Sequence, residues 1–163
     1  MINMALSSSW QEVVREEIPL LGHRNWIVIA DSAYPAQRSP GIHTVVTRAS
    51  QETVVSFVLA ELSRAKHVSP VVRLDRELDF VTEKDSPGVT SYRGFLDRAF
   101  KGRTVSAELH EQIIKELDEA GKTFRILLLK TDFTIPYTSV FLQLDCAYWN
   151  PEKEARLRHA MKV

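Results

Sequence analysis

Two segments of the sequence hold residues that could carry out acid–base chemistry. In the first, His23 precedes an apolar stretch that ends at Asp31, and in the second, Tyr137 and Ser139 follow a proline. An imidazole with an ordinary pKa of about 6.5 can accept or donate a proton near neutral pH. His23 also lies beside a turn that we expect to be strained at Gly22. An aspartate at the carboxyl end of a central strand occupies the position at which open α/β sheets bind ligands.

Motifs for nucleotides, metals and hydrolytic nucleophiles are missing from the sequence. It contains no G-x-x-x-x-G-K-[ST], G-x-G-x-x-G, H-E-x-x-H or G-x-S-x-G. Its five histidines are scattered without metal-ligand spacing, and the single cysteine, Cys146, excludes a disulfide within the chain and a multi-cysteine zinc site. We therefore expect no cofactor and no metal. Proton transfer is a reaction that His, Asp and Tyr side chains can perform unaided.

Size and charge narrow the class of protein. The chain has 163 residues, the length of one domain, and we expect a single domain over 1–163 with its core at about 9–149 and a helical extension at 150–163. Lys plus Arg number 21 and Asp plus Glu number 21, so the net charge gives no reason to bind nucleic acid or an anionic membrane. A net charge near zero mildly favours self-association.

Membrane and targeting segments are not expected. The longest apolar run, 26–30, is far shorter than the ~20 residues that span a bilayer. The N-terminal sequence MINMALSSSW lacks the basic region and long apolar stretch of a secretory signal. We therefore expect a soluble cytoplasmic protein with no membrane partner.

Hydrophobic patterns predict helices and strands that alternate along the chain, as in an α/β domain. Ser9 and Glu12 form a capping-box pattern that predicts a first short helix. Residues 26–30 are apolar at every position, which is typical of a strand covered on both faces. The other predicted helices are at 51–64, 91–101, 106–120 (capped by Gly121) and from Asn150 onward. The other predicted strands are at 71–80, 124–129 and 140–144. A long loop is predicted at 32–43 and a polar turn at 83–88.

The two segments together resemble the signatures of a known family. The first reads L-G-H and then, after a short apolar stretch, A-D-x-x-x-P, and the second reads T-x-x-x-x-P-Y-x-x-V-x-L. In sequence, order and separation they are similar to the two motifs of the ribose pyranase and fucose mutarotase family, over residues 9 to about 146. The resemblance implies a three-layer α/β/α domain with a mainly parallel central sheet.

The resemblance also implies an activity. Enzymes of this family are isomerases that interconvert the ring forms or anomers of a free monosaccharide without a cofactor. By resemblance, His23 transfers the proton, Asp31 holds or orients sugar hydroxyls, and Tyr137 contacts the sugar. Family members form homo-oligomeric rings, commonly pentamers or decamers, with the sites at subunit contacts, and the same is expected here.

The second motif departs from the family pattern at two places. The family has Gly-Glu where this chain has Asp132-Phe133, and it has Asn where this chain has Ser139. Ser139 keeps one hydrogen-bonding group for a sugar but lacks the second group of the amide. A further sugar-contacting residue of the family lies on the helix before the last core strand, where His110 is the best candidate. The departures leave open a catalytically altered monosaccharide-binding or regulatory protein, or a purely structural ring subunit.

Each candidate residue also has a plainly structural interpretation. His23 could be a turn histidine without a function, and Asp31 could cap a helix or bond within a loop, since Asp is common after strands. Tyr137 could be an aromatic residue at the edge of the core. Ser139 could be a hydroxyl on a strand face, and His110 a solvated helix residue.

Other polar and aromatic residues of the sequence have alternatives too. The charged run at 73–77 is interpreted as a solvated strand face, with acidic groups at a sugar site as the alternative. Trp26 and Trp149 are interpreted as core or subunit-interface aromatics, with stacking on a sugar as the alternative. His23 and Asp31 would lie up to ~26–29 Å apart in an extended chain, so one sugar could meet both only if the chain folds back.

Overall fold

The structure, a computed structural model, describes residues 8–163. Most of the N-terminal segment that bears on a secretory signal lies outside these residues. The described part contains helices α1 to α5 and strands β1 to β6, with two short 3₁₀ helices at Ile18–Leu20 and Arg76–Phe80. The helices are α1 Trp10–Glu17, α2 Gln51–Arg64, α3 Val89–Ala99, α4 His110–Gly121 and α5 Pro151–Met161. The strands are β1 Trp26–Ala30, β2 Ile42–Val46, β3 Val68–Asp75, β4 Val105–Glu108, β5 Ile126–Lys130 and β6 Val140–Cys146.

The six strands form one sheet in the order β2-β5-β1-β6-β3-β4. Strands β2, β5 and β1 are parallel to one another, and so are β3 and β4. Strand β6 lies between these two groups and is antiparallel to both of its neighbours, β1 and β3. The sheet is therefore mainly parallel, as predicted.

Helices cover the sheet on both faces, so alternate residues of β1 enter different clusters. Ile27 and Ile29 pack in a cluster with residues of α1, α2 and α3, whereas Trp26 and Val28 pack with Ile113 and other residues of α4. This arrangement confirms the predicted α/β fold with helices on both faces of the sheet, and it explains why 26–30 is apolar throughout. Helix α5 has no buried residue. Within residues 8–163, none of the helices is long and apolar enough to cross a membrane.

Several predicted boundaries are correct and three are wrong. Helix α2 and strand β1 match their predicted limits, and Ser9 caps α1 through the expected capping box. The predicted loop 32–43 ends early because residues 42–46 form the edge strand β2, whose alternation is weak. The predicted strand 71–80 begins at Val68 and ends at Asp75, after which the chain turns into a 3₁₀ helix. The predicted helix 106–120 begins only at His110, because Val105–Glu108 pairs with β3 as β4.

A buried polar cluster ties α2 to the segment before β6. Gln51 Nε2 lies 2.9 Å from the carbonyl oxygen of Thr138 and 3.2 Å from that of Ile29, and Gln51 Oε1 accepts a hydrogen bond from the Thr131 hydroxyl at 2.8 Å. The Tyr92 hydroxyl donates to the same Thr138 carbonyl at 2.6 Å. Because these groups are buried, each needs its partner, and together they fix the backbone that carries the second sequence motif.

Replacing Gln51 tests this cluster. We expect Gln51→Ala to lower the free energy of unfolding by about 1–3 kcal/mol, because it leaves buried polar groups without partners. Glu52→Ala, an exposed position on the same helix, should change that free energy by less than about 0.5 kcal/mol. Urea unfolding followed by circular dichroism measures both, and equal effects of the two variants would contradict this role of Gln51.

Candidate functional site

The sheet topology brings the ends of four strands together along one border of the sheet, the border at which the parallel strands have their carboxyl ends. Ile29 of β1 and Leu74 of β3 both pair with Val140, the first residue of β6. The residues that follow β1 and β3 therefore lie beside those that precede β6. Strand β4 is parallel to β3 and ends at the same edge, where Asp75 pairs with Glu108. The carboxyl ends of β1, β3 and β4 thus meet the amino end of β6, which is where an open α/β sheet offers a binding crevice.

The two sequence motifs contact each other directly at this edge. The Ser139 hydroxyl donates a hydrogen bond to Asp31 Oδ1 at 2.9 Å. The amide of Ser32 donates to the carbonyl of Phe133 at 2.8 Å, and the Ser32 hydroxyl donates to the carbonyl of Thr131 at 2.9 Å. These bonds hold the Asp31 carboxylate in a fixed place beside the second motif.

A histidine–aspartate pair stands next to this contact. His110 Nδ1 lies 2.9 Å from Asp75 Oδ2, and the Asp75 side chain has no exposure to solvent. His110 is the first residue of α4, whose cap residue Leu109 offers no side-chain hydrogen bond. Glu77 supplies the cap instead, because both of its carboxylate oxygens lie 3.1 Å from the His110 amide. The start of α4, and with it the imidazole, is thereby held against the end of β3.

Protonation of the pair is set by burial and by the hydrogen bond between its members. The hydrogen bond to Asp75 raises the pKa of His110 above its ordinary value of 6.5. Burial raises the pKa of Asp75, and its hydrogen bond with His110 opposes that effect. With Nδ1–H donated to the carboxylate, Nε2 is left to accept a proton, and after accepting one the imidazolium is stabilised by Asp75. The other carboxylate oxygen, Oδ1, is buried and has no hydrogen-bond partner within residues 8–163.

Tyr137 completes the site from a strained turn. Its φ is +59°, in the left-handed region that non-glycine residues rarely adopt and that costs about 1–3 kcal/mol. The next residue, Thr138, is fully buried and its hydroxyl bonds the carbonyl of Ile135 at 2.7 Å, which holds the turn in place. Tyr137 as a residue remains 40% exposed, and its ring meets the His110 ring edge-on, with centroids 5.7 Å apart. Strain of this kind is characteristic of binding and active sites.

These residues surround a small open cavity of about 120 Å³. Asp31, His110 and Tyr137 all line it, together with residues 33–35 and Pro136. Such a cavity offers a carboxylate that accepts hydroxyl hydrogens, an imidazole that exchanges protons and an aromatic ring at the rim. Its volume is below the ~300–1,000 Å³ of most small-molecule sites, so one chain encloses only part of a ligand of monosaccharide size.

His23 lies at the other end of the sheet. Its Nδ1 lies 3.0 Å from Asp145 Oδ1, near the end of β6, whereas Asp31 contacts Ser139 just before β6 begins. Six residue steps along β6 at ~3.3 Å each separate these contacts by about 20 Å. Within one chain the turn at 22–25 therefore does not bring His23 to Asp31. The strained residue of that turn is Arg24, at φ +75°, and the expectation of strain at Gly22 is wrong.

Two charged residues of β3 are buried, contrary to the prediction from sequence. The run at 73–77 was expected on a solvated face, but Arg73 and Asp75 are buried. Arg73 bonds Glu108 and Glu116 and stacks over Trp26, which is itself buried in the core. The usable signal was their alternation with apolar residues, which placed Arg73 and Asp75 on the same face of β3.

The two motif departures have structural explanations. Ser139 is buried, its hydroxyl donates to Asp31 Oδ1, and it does not line the cavity that Asp31 lines. Phe133 packs against Tyr92 in the core, with ring centroids 4.9 Å apart. Among the described residues, no group of three or more His, Cys, Asp or Glu side chains is arranged to hold a metal ion.

The pair of His110 and Asp75 predicts a pH titration. We expect His110 to titrate above pH 6.5 in NMR spectra, and Asp75→Asn to lower that midpoint because it removes the charge that stabilises the imidazolium. The stability that the raised pKa of His110 contributes is fully present below pH 6.5 and is lost as pH rises through the raised midpoint. Asp79→Asn, which removes an exposed carboxylate nearby, should leave the midpoint almost unchanged. An equal shift in both variants would contradict a specific pairing with Asp75.

Comparison with known proteins identifies the fold. No protein-family model matches the sequence, and no curated protein matches it. Among solved structures, RbsD of Bacillus subtilis complexed with D-ribose matches at 20% identity, covering 82% of this chain and 91% of that one, with a TM-score of 0.58. FucU of Bifidobacterium longum matches at 15% identity, with coverages of 82% and 94% and a TM-score of 0.53.

A third solved structure agrees with these two. The fucose mutarotase of Streptococcus pneumoniae in complex with L-fucose matches at 17% identity, covering 80% of this chain and 89% of that one, with a TM-score of 0.52. The similarity covers 80–82% of this chain and concerns the arrangement of the backbone. The resemblance found in the two motifs is thus confirmed at the level of the fold, and this chain has the fold of RbsD and fucose mutarotase.

Proposed function

We propose that this protein interconverts the ring forms or anomers of a free monosaccharide without a cofactor. The observation that carries the proposal is the convergence of Asp31, the His110–Asp75 pair and Tyr137 on one cavity. Solved proteins of the same fold were found in complex with D-ribose and with L-fucose, which supports a sugar as the ligand. A soluble cytoplasmic isomerase that assembles into a homo-oligomeric ring of five or ten copies fits this proposal.

The reaction needs one group that removes a proton and one that supplies a proton. The base takes the proton of the anomeric hydroxyl, the carbonyl forms, the bond from the anomeric carbon to the ring oxygen breaks, and the acid protonates that oxygen. Reclosure on the other face gives the other anomer, and reclosure by a different hydroxyl gives a different ring size. Asp31 accepts hydrogen bonds from sugar hydroxyls, and His110 Nε2 exchanges the proton with Asp75 stabilising its charged form.

His23 enters the proposal as the second proton-transfer group, contributed by a neighbouring copy. It lies about 20 Å from Asp31 along β6 within one chain, so it can reach the sugar only in another chain's cavity. The small volume of that cavity, about 120 Å³, leaves room for a second chain to close it. A head-to-tail contact that joins opposite ends of the sheet generates a closed ring when its rotation closes.

A monosaccharide-binding or regulatory protein without catalysis is the second candidate. The observation that favours it is that the Ser139 hydroxyl is already donated to Asp31, which leaves the second motif with fewer free groups for a sugar. This candidate retains sugar binding and predicts no acceleration of ring interconversion.

Magnetisation exchange between anomeric protons separates the two candidates. We expect wild type to accelerate exchange for at least one sugar of a panel that includes ribose and fucose. His110→Gln and His23→Ala should each lower the rate about 10²–10⁴-fold, the range for a lost general acid or base. His159→Ala, at an exposed position on α5, serves as the control and should keep the full rate. Binding of a sugar without any acceleration would favour the second candidate, and absence of both would refute the proposal.

Mixing two inactive variants tests the shared site. His23→Ala and Asp31→Asn each remove one half of it, so each is expected to be inactive alone. Randomly mixed rings should recover about a quarter of the wild-type rate, because one contact in four pairs an intact His23 with an intact Asp31. No recovery after confirmed mixing would show that the two residues do not act in one site.

A further inference from the structure

A second cavity, of about 670 Å³, lies at the end of the sheet that carries His23. Its walls come from the turn before β1, the end of β6 and the first turns of α5. His23, Asp145 and Trp149 line it together. Its volume is in the usual range for small-molecule sites, unlike that of the Asp31 cavity.

Trp149 is held in this cavity by the helix that follows it. Its indole Nε1 donates to Glu154 Oε2 at 2.7 Å, and Glu154 Oε1 accepts from Arg158 at 2.7 Å. Asn150 caps α5 by accepting from the Lys153 amide at 2.8 Å. The polar atom of the ring is therefore satisfied within the chain, and 43% of the residue stays exposed to solvent. A ring fixed in this way loses little entropy when a ligand binds to its face.

The position of Trp149 has a consequence for the proposed shared site. Trp149 and His23 line the same cavity, so a contact that carries His23 to a neighbouring copy's Asp31 also carries Trp149 there. We infer that Trp149 contacts the sugar in the neighbouring copy's site and stacks on a face of the sugar ring that presents C–H groups. The inference rests on the proposed function. It also implies a role for the C-terminal extension, residues 150–163, because this extension holds Trp149 in position to contact the substrate.

The chemistry of the two partners fits. The face of an indole is electron-rich, and the C–H groups of a sugar ring carry a small positive charge, so the two attract while water leaves both surfaces. Trp149 then prefers sugars whose C–H groups lie together on one face over sugars in which an axial hydroxyl interrupts that face. Trp149 is thus a residue that determines specificity, while proton transfer stays with the histidines.

The test measures kinetics and binding on Trp149 variants of the full chain. Trp149→Ala should raise KM about tenfold, an effect typical of one lost aromatic contact, with kcat largely retained. It should also reduce the selectivity between two sugars that differ by one axial hydroxyl. Trp149→Phe should restore most of both, because it keeps an aromatic face. Leu157→Ala, at an exposed position of α5 outside the cavity, is the control and should leave KM and selectivity unchanged.

Fluorescence provides a binding measurement that is independent of turnover. Addition of the sugar should change the tryptophan emission of wild type, and this change should disappear in Trp149→Phe. Wild-type turnover with unchanged KM and selectivity in Trp149→Ala would overturn the inference and leave the proposed function standing. A fluorescence response without turnover would support the contact and refute the isomerase. Neither turnover nor binding with any sugar would refute both.

Discussion

The antiparallel insertion of β6 between β1 and β3 is the constraint on which the site depends. It places the start of β6 beside the carboxyl ends of both parallel neighbours, through the pairing of Val140 with Ile29 and Leu74. Asp31, Asp75 and Ser139 are within one or two residues of that register and so meet at one edge. With β6 in any other place in the sheet, Ser139 would lie apart from Asp31 and Asp75, while the part of the second motif that directly follows β5 would still lie beside the end of β1.

Two features of the site lower the stability of the folded chain, and packing elsewhere in the core has to compensate for them. The Asp75 side chain is fully buried, and only its Oδ2 is bonded, by His110. Its Oδ1 has no hydrogen-bond partner in residues 8–163, and such a buried, unpaired oxygen destabilises the folded state. Tyr137 is held in a left-handed conformation by its buried neighbour Thr138. Gln51 and Tyr92 anchor that neighbour from two helices, so core packing supports both departures from local preference.

The fold could be predicted from sequence because local signals mark most of its elements, whereas Asp31, Tyr137, Ser139 and His110 were singled out by the resemblance of two motifs to a known family. Continuous apolar runs marked β1 and β5, and the capping pattern marked α1. Edge strands β2 and β4 were missed since they bury only part of one face and leave a weak pattern. Asp75 was missed because its burial depends on α4 and β6, which are distant in sequence. His23 and Asp31 lie at opposite ends of β1, which pairs with β6 along its length. This strand pairing joins residues that are distant in sequence, so no local sequence pattern predicts the separation.

The central claim is that a monosaccharide binds where Asp31, His110 and Tyr137 meet. Titration of histidine-labelled protein with ribose or fucose, followed by NMR, tests it most directly, because each of the five histidines reports on its own surroundings. The account predicts saturable shifts of the His110 ring, accompanied by those of His23 in the assembled protein, while His159 on the exposed α5 helix stays unchanged. A sugar that binds or is interconverted without moving the His110 resonances would contradict the account.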